Sequence, residues 1–216
     1  MKIKSSHRLH LTHTALLLCL AASLVKGQNV VNGSFELGTN PGITSIQLTA
    51  GDSTSLTGWT VVSGTIDYVG GTWTAGDGSR SLDLSGTSAG AIEQIITGFT
   101  VGQNYQLSFL MAGNTAGGPT VKSLQASIGS AMQTFNFDIT GHSNANMGWS
   151  LQTMNFTATS GSLTLDFASL ANSFYGPTLD AVAIAPVPEP GTLSLTGFAV
   201  LLCSLGIIRR RQSLKS

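Results

Sequence analysis

The sequence predicts an all-β domain, folded as a β-sandwich and flanked by two apolar terminal segments. Short apolar runs with a period of two recur between residues 28 and 185, and glycine, asparagine, serine and proline separate them. Glycine accounts for 26 of the 216 residues, which is above the typical share of about 7%. This region has no long apolar stripe at helical spacing. Many short strands joined by turns are typical of a β-sandwich.

Twelve segments have the character of strands, with β-branched and aromatic residues between turn residues. The alternation is clearest where Tyr105, Leu107, Phe109 and Met111 alternate with a less uniform set of side chains. Because successive side chains of a strand point to opposite faces, this strand is expected to turn one face to the core. The predicted strands are Val30–Glu36, Ile46–Thr49, Gly58–Val62, Thr65–Val69, Ser81–Leu84, Ala91–Thr97, Asn104–Ala112, Lys122–Ile128, Gln133–Ile139, Ser150–Thr157, Ser162–Ala168 and Thr178–Ala185.

The region from Gln28 to Pro186 is acidic. It contains nine carboxylates but only two basic residues, Arg80 and Lys122, which gives it a net charge of −7. A domain without a basic stripe cannot neutralise phosphates, and this excludes nucleic acid as a partner. Both cysteines of the chain lie in the apolar terminal segments, so we expect the core alone to hold the domain together.

The first 27 residues have the parts of a secretory signal peptide. Basic residues precede an apolar stretch from Ala15 to Val25, which is too short to span a bilayer and suits a signal-peptide core. Small residues just before Gln28 predict cleavage there, with cleavage after Ala22 as the alternative. A lipoprotein signal at Cys19 is disfavoured, because two leucines precede the cysteine where small residues are usual.

The C-terminal segment has three ordered elements of a membrane-associated signal. Pro188-Glu189-Pro190 is followed by an uncharged apolar run from Thr192 to Ile208 and then by Arg209-Arg210-Arg211. The run is near the lower length limit for a membrane-spanning helix, and the arginines are expected on the cytoplasmic side. These elements, in this order, resemble the PEP-CTERM sorting signal of bacterial surface proteins. The resemblance implies an exosortase-type protease as a partner, cutting at the Pro-Glu-Pro box. An ordinary C-terminal anchor behind a proline-bearing linker is the alternative.

A second resemblance covers nearly all of residues 28–185. Its motifs, in chain order, are Asn32-Gly33-Ser34-Phe35-Glu36, Gly58-Trp59, Gly78–Leu84, Ile92-Glu93-Gln94, Tyr105–Phe109 and Tyr175–Val182. Their order resembles the galactose-binding-like jelly rolls, and among them the choice-of-anchor C family of bacterial surface proteins and related plant cell-wall proteins. The resemblance implies a jelly-roll β-sandwich without established enzymatic activity, of a kind mostly regarded as binding wall or matrix carbohydrate.

Three aromatic residues are candidates for binding a sugar, since a flat apolar ring suits the C–H face of a sugar ring. Trp73 lies in a glycine-rich loop between Val69 and Gly78 that is too polar to bury it easily, so we expect it to be exposed. Trp149 begins a predicted strand, and Tyr175 lies in a polar loop. Trp59, which follows a turn glycine and precedes an apolar run, is expected in the core.

The jelly-roll resemblance also implies a structural calcium ion where the first and last strands lie together. The matching positions are Glu36 and Asp180, and calcium prefers carboxylate and carbonyl oxygens. Ala181 stands where the family pattern often has a second acid, which weakens this interpretation. The alternative is that Glu36 accepts hydrogen bonds from a turn and Asp180 caps a strand.

A catalytic interpretation rests on one short motif. Gly86-Thr87-Ser88-Ala89-Gly90 matches the nucleophile elbow of hydrolases, which requires a helix after the serine. The next segment reads as a strand, so we expect a hairpin loop. His142, the sole histidine between residues 28 and 185, is expected to be a solvated loop residue, and without cysteine partners it cannot form a usual zinc site.

The sequence thus predicts a signal peptide over residues 1–27, a jelly-roll β-sandwich over 28–185, and a linker, transmembrane helix and basic stop over 186–216. The predicted protein is exported, transiently anchored in the cytoplasmic membrane, and then present at the cell surface or in the extracellular matrix. Its predicted function is non-catalytic binding of polysaccharide. A structural surface protein without a defined ligand is the alternative, and a hydrolase is the least favoured.

Overall fold

The computed structural model describes residues 28–188. The predicted signal peptide, and the predicted sorting signal beyond Pro188, lie outside the described residues. Within residues 28–188, no helix is long and apolar enough to cross a bilayer. The strands of this region are β1 Ser45–Thr49, β2 Thr60–Ser63, β3 Thr65–Val69, β4 Ser81–Asp83, β5 Ala91–Thr97, β6 Asn104–Gly113, β7 Val121–Ile128, β8 Ala131–Asp138, β9 Ser150–Thr157, β10 Ser162–Ser169 and β11 Pro177–Pro186.

These strands form two antiparallel sheets. One sheet has six strands in the order β1-β3-β4-β11-β6-β9, and the other has five in the order β2-β5-β10-β7-β8. The last strand, β11, therefore lies inside its sheet, between β4 and β6. The prediction of an all-β sandwich is confirmed.

The core lies between the sheets and follows the predicted alternation. Tyr105, Leu107, Phe109 and Met111 of β6 are all buried. The Phe109 ring meets the rings of Phe135 in β8 and Phe167 in β10 edge to face, at centroid distances of 5.0 and 5.1 Å. Because β6 belongs to one sheet and its partners to the other, these contacts join the two layers.

The prediction of a strand over Val30–Glu36 is wrong. The segment turns, since Phe35 donates its backbone N–H to the Asn32 carbonyl at 3.1 Å. Asn32 and Phe35 have φ values of 55° and 58°, which lie in the left-handed region that residues other than glycine rarely adopt. Complete burial of the Phe35 ring in the core offsets this backbone strain.

The N-terminal segment nevertheless lies beside the last strand. Gln28 pairs with Ile184, and Val182 donates its N–H to the Gly33 carbonyl at 2.8 Å. A register shift in β11 follows Asp180 and makes this approach possible, because it frees the Val182 N–H from the ladder to β6. The adjacency of the first and last segments is the one that the jelly-roll resemblance implies.

Candidate functional site

A groove of about 420 Å³ lies on the surface between the β4–β5 loop and the β10–β11 loop. We call it the loop groove, and its lining residues are Thr87, Ser88, Asn172, Ser173 and Phe174. One of the five is aromatic and the other four carry hydroxyl or amide groups. No charged side chain is among them.

Phe174 is the aromatic residue of the groove, and 61% of it is exposed. Its neighbour Tyr175 is 37% exposed. A Cβ atom on Gly117 would clash with the Tyr175 ring, so the glycine backbone covers part of that ring. Of these two aromatic residues, Phe174 therefore presents the more open ring.

The backbone on both sides of Phe174 is anchored, on one side to the β6–β7 loop and on the other to strand β7. On one side, the Ser173 hydroxyl donates to the Gly118 carbonyl at 2.6 Å. On the other side, the Tyr175 carbonyl accepts a hydrogen bond from the Lys122 ammonium at 2.7 Å. Hydrogen bonds therefore fix the backbone on both sides of the exposed Phe174 ring.

Lys122 is completely buried, which is unusual for an ammonium group. Besides Tyr175, its Nζ donates to the Gly117 carbonyl at 2.5 Å. Burial lowers the pKa of Lys122, and the charge of the nearby Asp83 carboxylate opposes that change. Lys122 therefore ties the β6–β7 loop to the β10–β11 loop from below.

Asp83 is the second buried ionisable group under the groove. Its Oδ1 accepts the N–H groups of Ser85 and Gly176 at 2.9 and 3.0 Å, and its Oδ2 accepts the Asn114 amide at 2.7 Å. Burial raises the pKa of Asp83 to about 7, although these hydrogen bonds act in the opposite direction. Asp83 thereby links the start of β11 to both neighbouring loops.

The other wall of the groove is the Gly86–Gly90 segment. Ser88 donates its N–H to the Thr65 hydroxyl at 3.0 Å, and Gly86 donates its N–H to the Thr65 carbonyl at 2.9 Å. Strand β5 begins directly after Gly90, so the segment is a hairpin loop, as predicted, and lacks the helix of a nucleophile elbow.

His142 does not lie in the groove, and it differs from the solvated residue that we expected. Its ring is half-buried, and it packs against Phe137 at a centroid distance of 5.2 Å. The Gly148 backbone also lies close against the His142 ring, because a Cβ on Gly148 would clash with it. Residues 28–188 contain no group of three or more histidine, cysteine, aspartate or glutamate side chains that could hold a metal ion.

The expectation that Trp73 is exposed is wrong. It is 7% exposed, and its indole N–H donates to the Ser81 hydroxyl at 2.9 Å. A polar loop can bury a tryptophan when the indole N–H finds a partner, and here β4 supplies it. Trp73 therefore has no free face for a sugar. Trp59 is 2% exposed, as predicted for a core residue.

Trp149 is half-buried, packs against the core, and donates its indole N–H to the Thr74 carbonyl at 2.9 Å. It does not line the loop groove, and neither does Trp73. Of the predicted aromatic residues, only Tyr175 lies next to the loop groove. Phe174 was not predicted from the sequence, although, like Trp73, it is an aromatic residue in a segment of small and polar residues, Ala171-Asn172-Ser173-Phe174.

The two predicted calcium ligands hold one loop. Asp180 accepts the backbone N–H groups of Gly76 and Asp77 through Oδ2, both at 2.9 Å. Glu36 accepts the backbone N–H groups of Ser79 and Arg80 through Oε1, at 2.7 and 2.8 Å. Both carboxylates therefore face hydrogen-bond donors, whereas calcium needs oxygen ligands around it. This donor set does not fit a calcium ion.

The environments of these two carboxylates differ. Asp180 is completely buried, and burial raises its pKa to about 7 against the opposing effect of its hydrogen bonds. Glu36 is partly exposed, and burial acts to raise its pKa as well. Hydrogen bonds from Ser79 and Arg80 outweigh that effect and hold the pKa of Glu36 below its usual value.

The fold and the groove together define an all-β sandwich domain with an exposed aromatic residue in a polar surface groove. Residues 28–185 match the family described as "Protein of unknown function (DUF642)", and the chain belongs to this family.

Halomucin from Haloquadratum walsbyi is 34% identical over 165 residues, which are 74% of this chain and 2% of halomucin. The chain thus spans a small part of that relative. Two solved structures are among those to which the chain is similar. One is TmCBM61 in complex with β-1,4-galactotriose, with a TM-score of 0.44, 15% identity, and coverage of 74% of this chain and 99% of that one. The other is the CBM22-1 xylan-binding domain of Xyn10C from Paenibacillus barcinonensis, with a TM-score of 0.41, 14% identity, and coverage of 67% and 94%. Similarities this distant do not indicate what the loop groove binds.

Proposed function

We propose that the domain binds polysaccharide without catalysis, through the loop groove. The observation that carries this proposal is the exposed ring of Phe174 in a groove whose other lining groups are hydroxyls and an amide. An aromatic ring supports the C–H face of a sugar, while hydroxyl and amide groups can both donate to and accept from its hydroxyls.

The rigidity of the groove supports the same proposal. Before Phe174, Ser173 is hydrogen-bonded to Gly118 of the β6–β7 loop, and after it Tyr175 is hydrogen-bonded to Lys122 of β7. A side chain whose backbone is already ordered loses less conformational entropy when a ligand binds, so more of the contact energy remains as affinity.

Binding is tested by native affinity electrophoresis of the domain in gels that contain soluble xylan, galactan or hydroxyethylcellulose. Retardation of the wild-type domain is expected with at least one polysaccharide. Phe174→Ala should weaken that binding by about 1–2 kcal/mol, or roughly 5- to 30-fold, as for a central contact residue.

Leu151→Ala is the matched control for this experiment. Leu151 is 67% exposed and lies on β9, an edge strand of the six-stranded sheet. Its truncation should leave binding unchanged. Equal effects of the two truncations would refute the groove, and the absence of binding to every polysaccharide would favour a structural surface protein.

We also propose that the domain is exported and sorted as its terminal segments indicate. The signal-peptide features of residues 1–27 and the Pro-Glu-Pro box, apolar run and arginines of residues 186–216 support this route. In this proposal an exosortase-type protease processes the anchored chain, which then reaches the cell surface or the extracellular matrix. The motif order supports a choice-of-anchor C type of galactose-binding-like jelly roll within the family.

A further inference from the structure

Lys122 is one of only two basic residues between Gln28 and Pro188, and it is buried completely. Removing an ammonium group from water is costly unless hydrogen bonds satisfy it. Its Nζ donates to two backbone carbonyls, those of Gly117 and Tyr175. Gly117 lies in the β6–β7 loop and Tyr175 in the β10–β11 loop, so the buried ammonium group connects these two loops.

A single peptide group connects this cation to a buried carboxylate. The carbonyl of the peptide between Tyr175 and Gly176 accepts the Lys122 ammonium at 2.7 Å. The N–H of the same peptide donates to Asp83 Oδ1 at 3.0 Å. The Lys122 ammonium thus faces the negative end of the peptide dipole, and the Asp83 carboxyl oxygen faces its positive end. Hydrogen bonds to charged groups are the stronger kind, and each of these two polarises the other through the peptide.

This peptide directly follows Phe174. On the other side of Phe174, Ser173 is tied to Gly118. Asp83 is itself held by Asn114 and by the Ser85 N–H, and the Asn114 N–H donates to the Gly176 carbonyl at 2.9 Å. The position of the exposed ring therefore depends on buried groups that lie outside the groove.

We propose that Lys122 and Asp83 are positioning residues for sugar binding, which hold Phe174 at the loop groove through the Tyr175–Gly176 peptide. This proposal rests on the proposed function of the groove. An apolar side chain in place of Lys122 would fill the space of its stem, but it would leave the carbonyls of Gly117 and Tyr175 without their buried donor.

The test compares Lys122→Met with Ile96→Ala, a core truncation near the opposite end of the sandwich, at a temperature where both variants are folded. Ile96 is 1% exposed and precedes the last residue of β5, far along that strand from the groove. Two quantities are measured for each variant. The first is hydrogen exchange of the segment 170–177, and the second is affinity for whichever of xylan, galactan or hydroxyethylcellulose retards the wild type.

Lys122→Met should raise exchange of the segment 170–177 about tenfold or more, the loss expected for hydrogen bonds to a charged group, and should weaken polysaccharide binding several-fold. Ile96→Ala should lower the melting temperature without either change. Asp83→Asn should reproduce the effects of Lys122→Met and move the amide resonance of Gly176, its hydrogen-bond partner. If Lys122→Met and Ile96→Ala lower the melting temperature to the same extent and also weaken binding equally, Lys122 has only a structural role and the proposal is overturned.

Asp83→Asn keeps the proposal testable if Lys122→Met fails to fold, because Asp83 lies outside the groove and holds the Tyr175–Gly176 peptide through the Gly176 N–H. Weaker binding with faster exchange supports positioning, and no change in either contradicts it. Phe174→Ala separates this proposal from the proposed function. If it leaves binding intact, the groove itself is wrong. If Phe174→Ala abolishes binding while Lys122→Met changes neither quantity, the groove stands and the positioning role is refuted.

Discussion

Trp73 donates its indole N–H to the Ser81 hydroxyl at 2.9 Å, in the interior of the domain. Ser81 is 1% exposed, so this hydrogen bond is shielded from water. The pair joins the glycine-rich loop before β4 to β4 itself. It makes the tryptophan that looked most exposed in the sequence a part of the packed structure.

Truncation of Trp73 should therefore destabilise the domain. We expect Trp73→Ala and Trp59→Ala each to lower the free energy of unfolding by about 3–5 kcal/mol, since both remove a buried large aromatic side chain. Urea unfolding measures the effect. Ile43→Ala is the control, because Ile43 is 88% exposed and its truncation should change stability by less than about 0.5 kcal/mol. A Trp73→Ala variant as stable as Ile43→Ala would contradict the burial of Trp73.

The domain should be more stable in mild acid than at neutral pH. Burial raises the folded-state pKa of Asp83 and of Asp180 to about 7, whereas unfolded aspartate titrates near pH 4. Between these two pH values the folded state keeps protons that the unfolded chain releases. The two aspartates therefore contribute their full amount to the free energy of unfolding below about pH 4, and this contribution is lost as the pH rises to about 7.

Urea unfolding at a series of pH values measures this dependence. The free energy of unfolding should fall by a few kcal/mol, in order of magnitude, between mild acid and neutral pH. The double variant Asp83→Asn/Asp180→Asn should remove most of the slope, because the amides do not titrate. Stability that rises over the same interval would show that other groups dominate.

Chelation tests the expected calcium site directly. Since Glu36 and Asp180 accept hydrogen bonds from the loop over residues 76–80, we expect EDTA to leave the melting temperature unchanged. A bound ion would instead add stability by mass action, about 2.7 kcal/mol at a hundredfold excess over its dissociation constant. A lower melting temperature in EDTA that calcium restores and Asp180→Asn abolishes would re-establish the calcium hypothesis.

Binding should favour neutral over acidic polysaccharides and should depend little on salt. The groove lining is uncharged, the region from Gln28 to Pro186 has a net charge of −7, and Lys122 is buried. Arg80, the other basic residue of this region, donates to the Tyr68 hydroxyl rather than to the groove. Affinity electrophoresis with galactan and with polygalacturonate, at low and high salt, checks this. Preferential binding of polygalacturonate that salt abolishes would show that charge governs recognition.

The sorting hypothesis makes a prediction about the mature chain. Mass spectrometry of surface material should find the domain without residues 193–216, because processing is expected at Pro188-Glu189-Pro190. Replacing that box with alanines should block processing and retain the chain in the membrane fraction. An intact C-terminus on the mature wild-type protein would reduce the signal to a simple anchor.

Most strands were predictable because strand patterns are local. In β6 the alternation of four apolar side chains is visible within ten residues, and all four are buried. The exception is the turn at Asn32 and Phe35, whose left-handed backbone is stabilised by burial of the Phe35 ring in a distant core. A period of two cannot reveal such a turn, since the interactions that stabilise it come from elsewhere in the chain.

The candidate site was predictable only in part. The loop that contains Tyr175 was recognised, but the neighbouring Phe174 was not. The two rings differ because the Gly117 backbone covers one of them, and that contact spans more than fifty residues of sequence. The carboxylates Glu36 and Asp180 were recognised as important, but their partners proved to be backbone N–H groups.

The sequence by itself determined the all-β sandwich, the acidic surface and the character of the terminal segments, because alternation, composition and charge are properties of neighbouring residues or of the whole chain. Only the tertiary structure decided which aromatic residue faces solvent and what the two buried charges do. Lys122 and Tyr175 are 53 residues apart, and Gly176 and Asp83 are 93 apart. Hydrogen bonds over such separations depend on how the two sheets pack, and the packing alone distinguishes a loop residue that is buried from one that can bind a ligand.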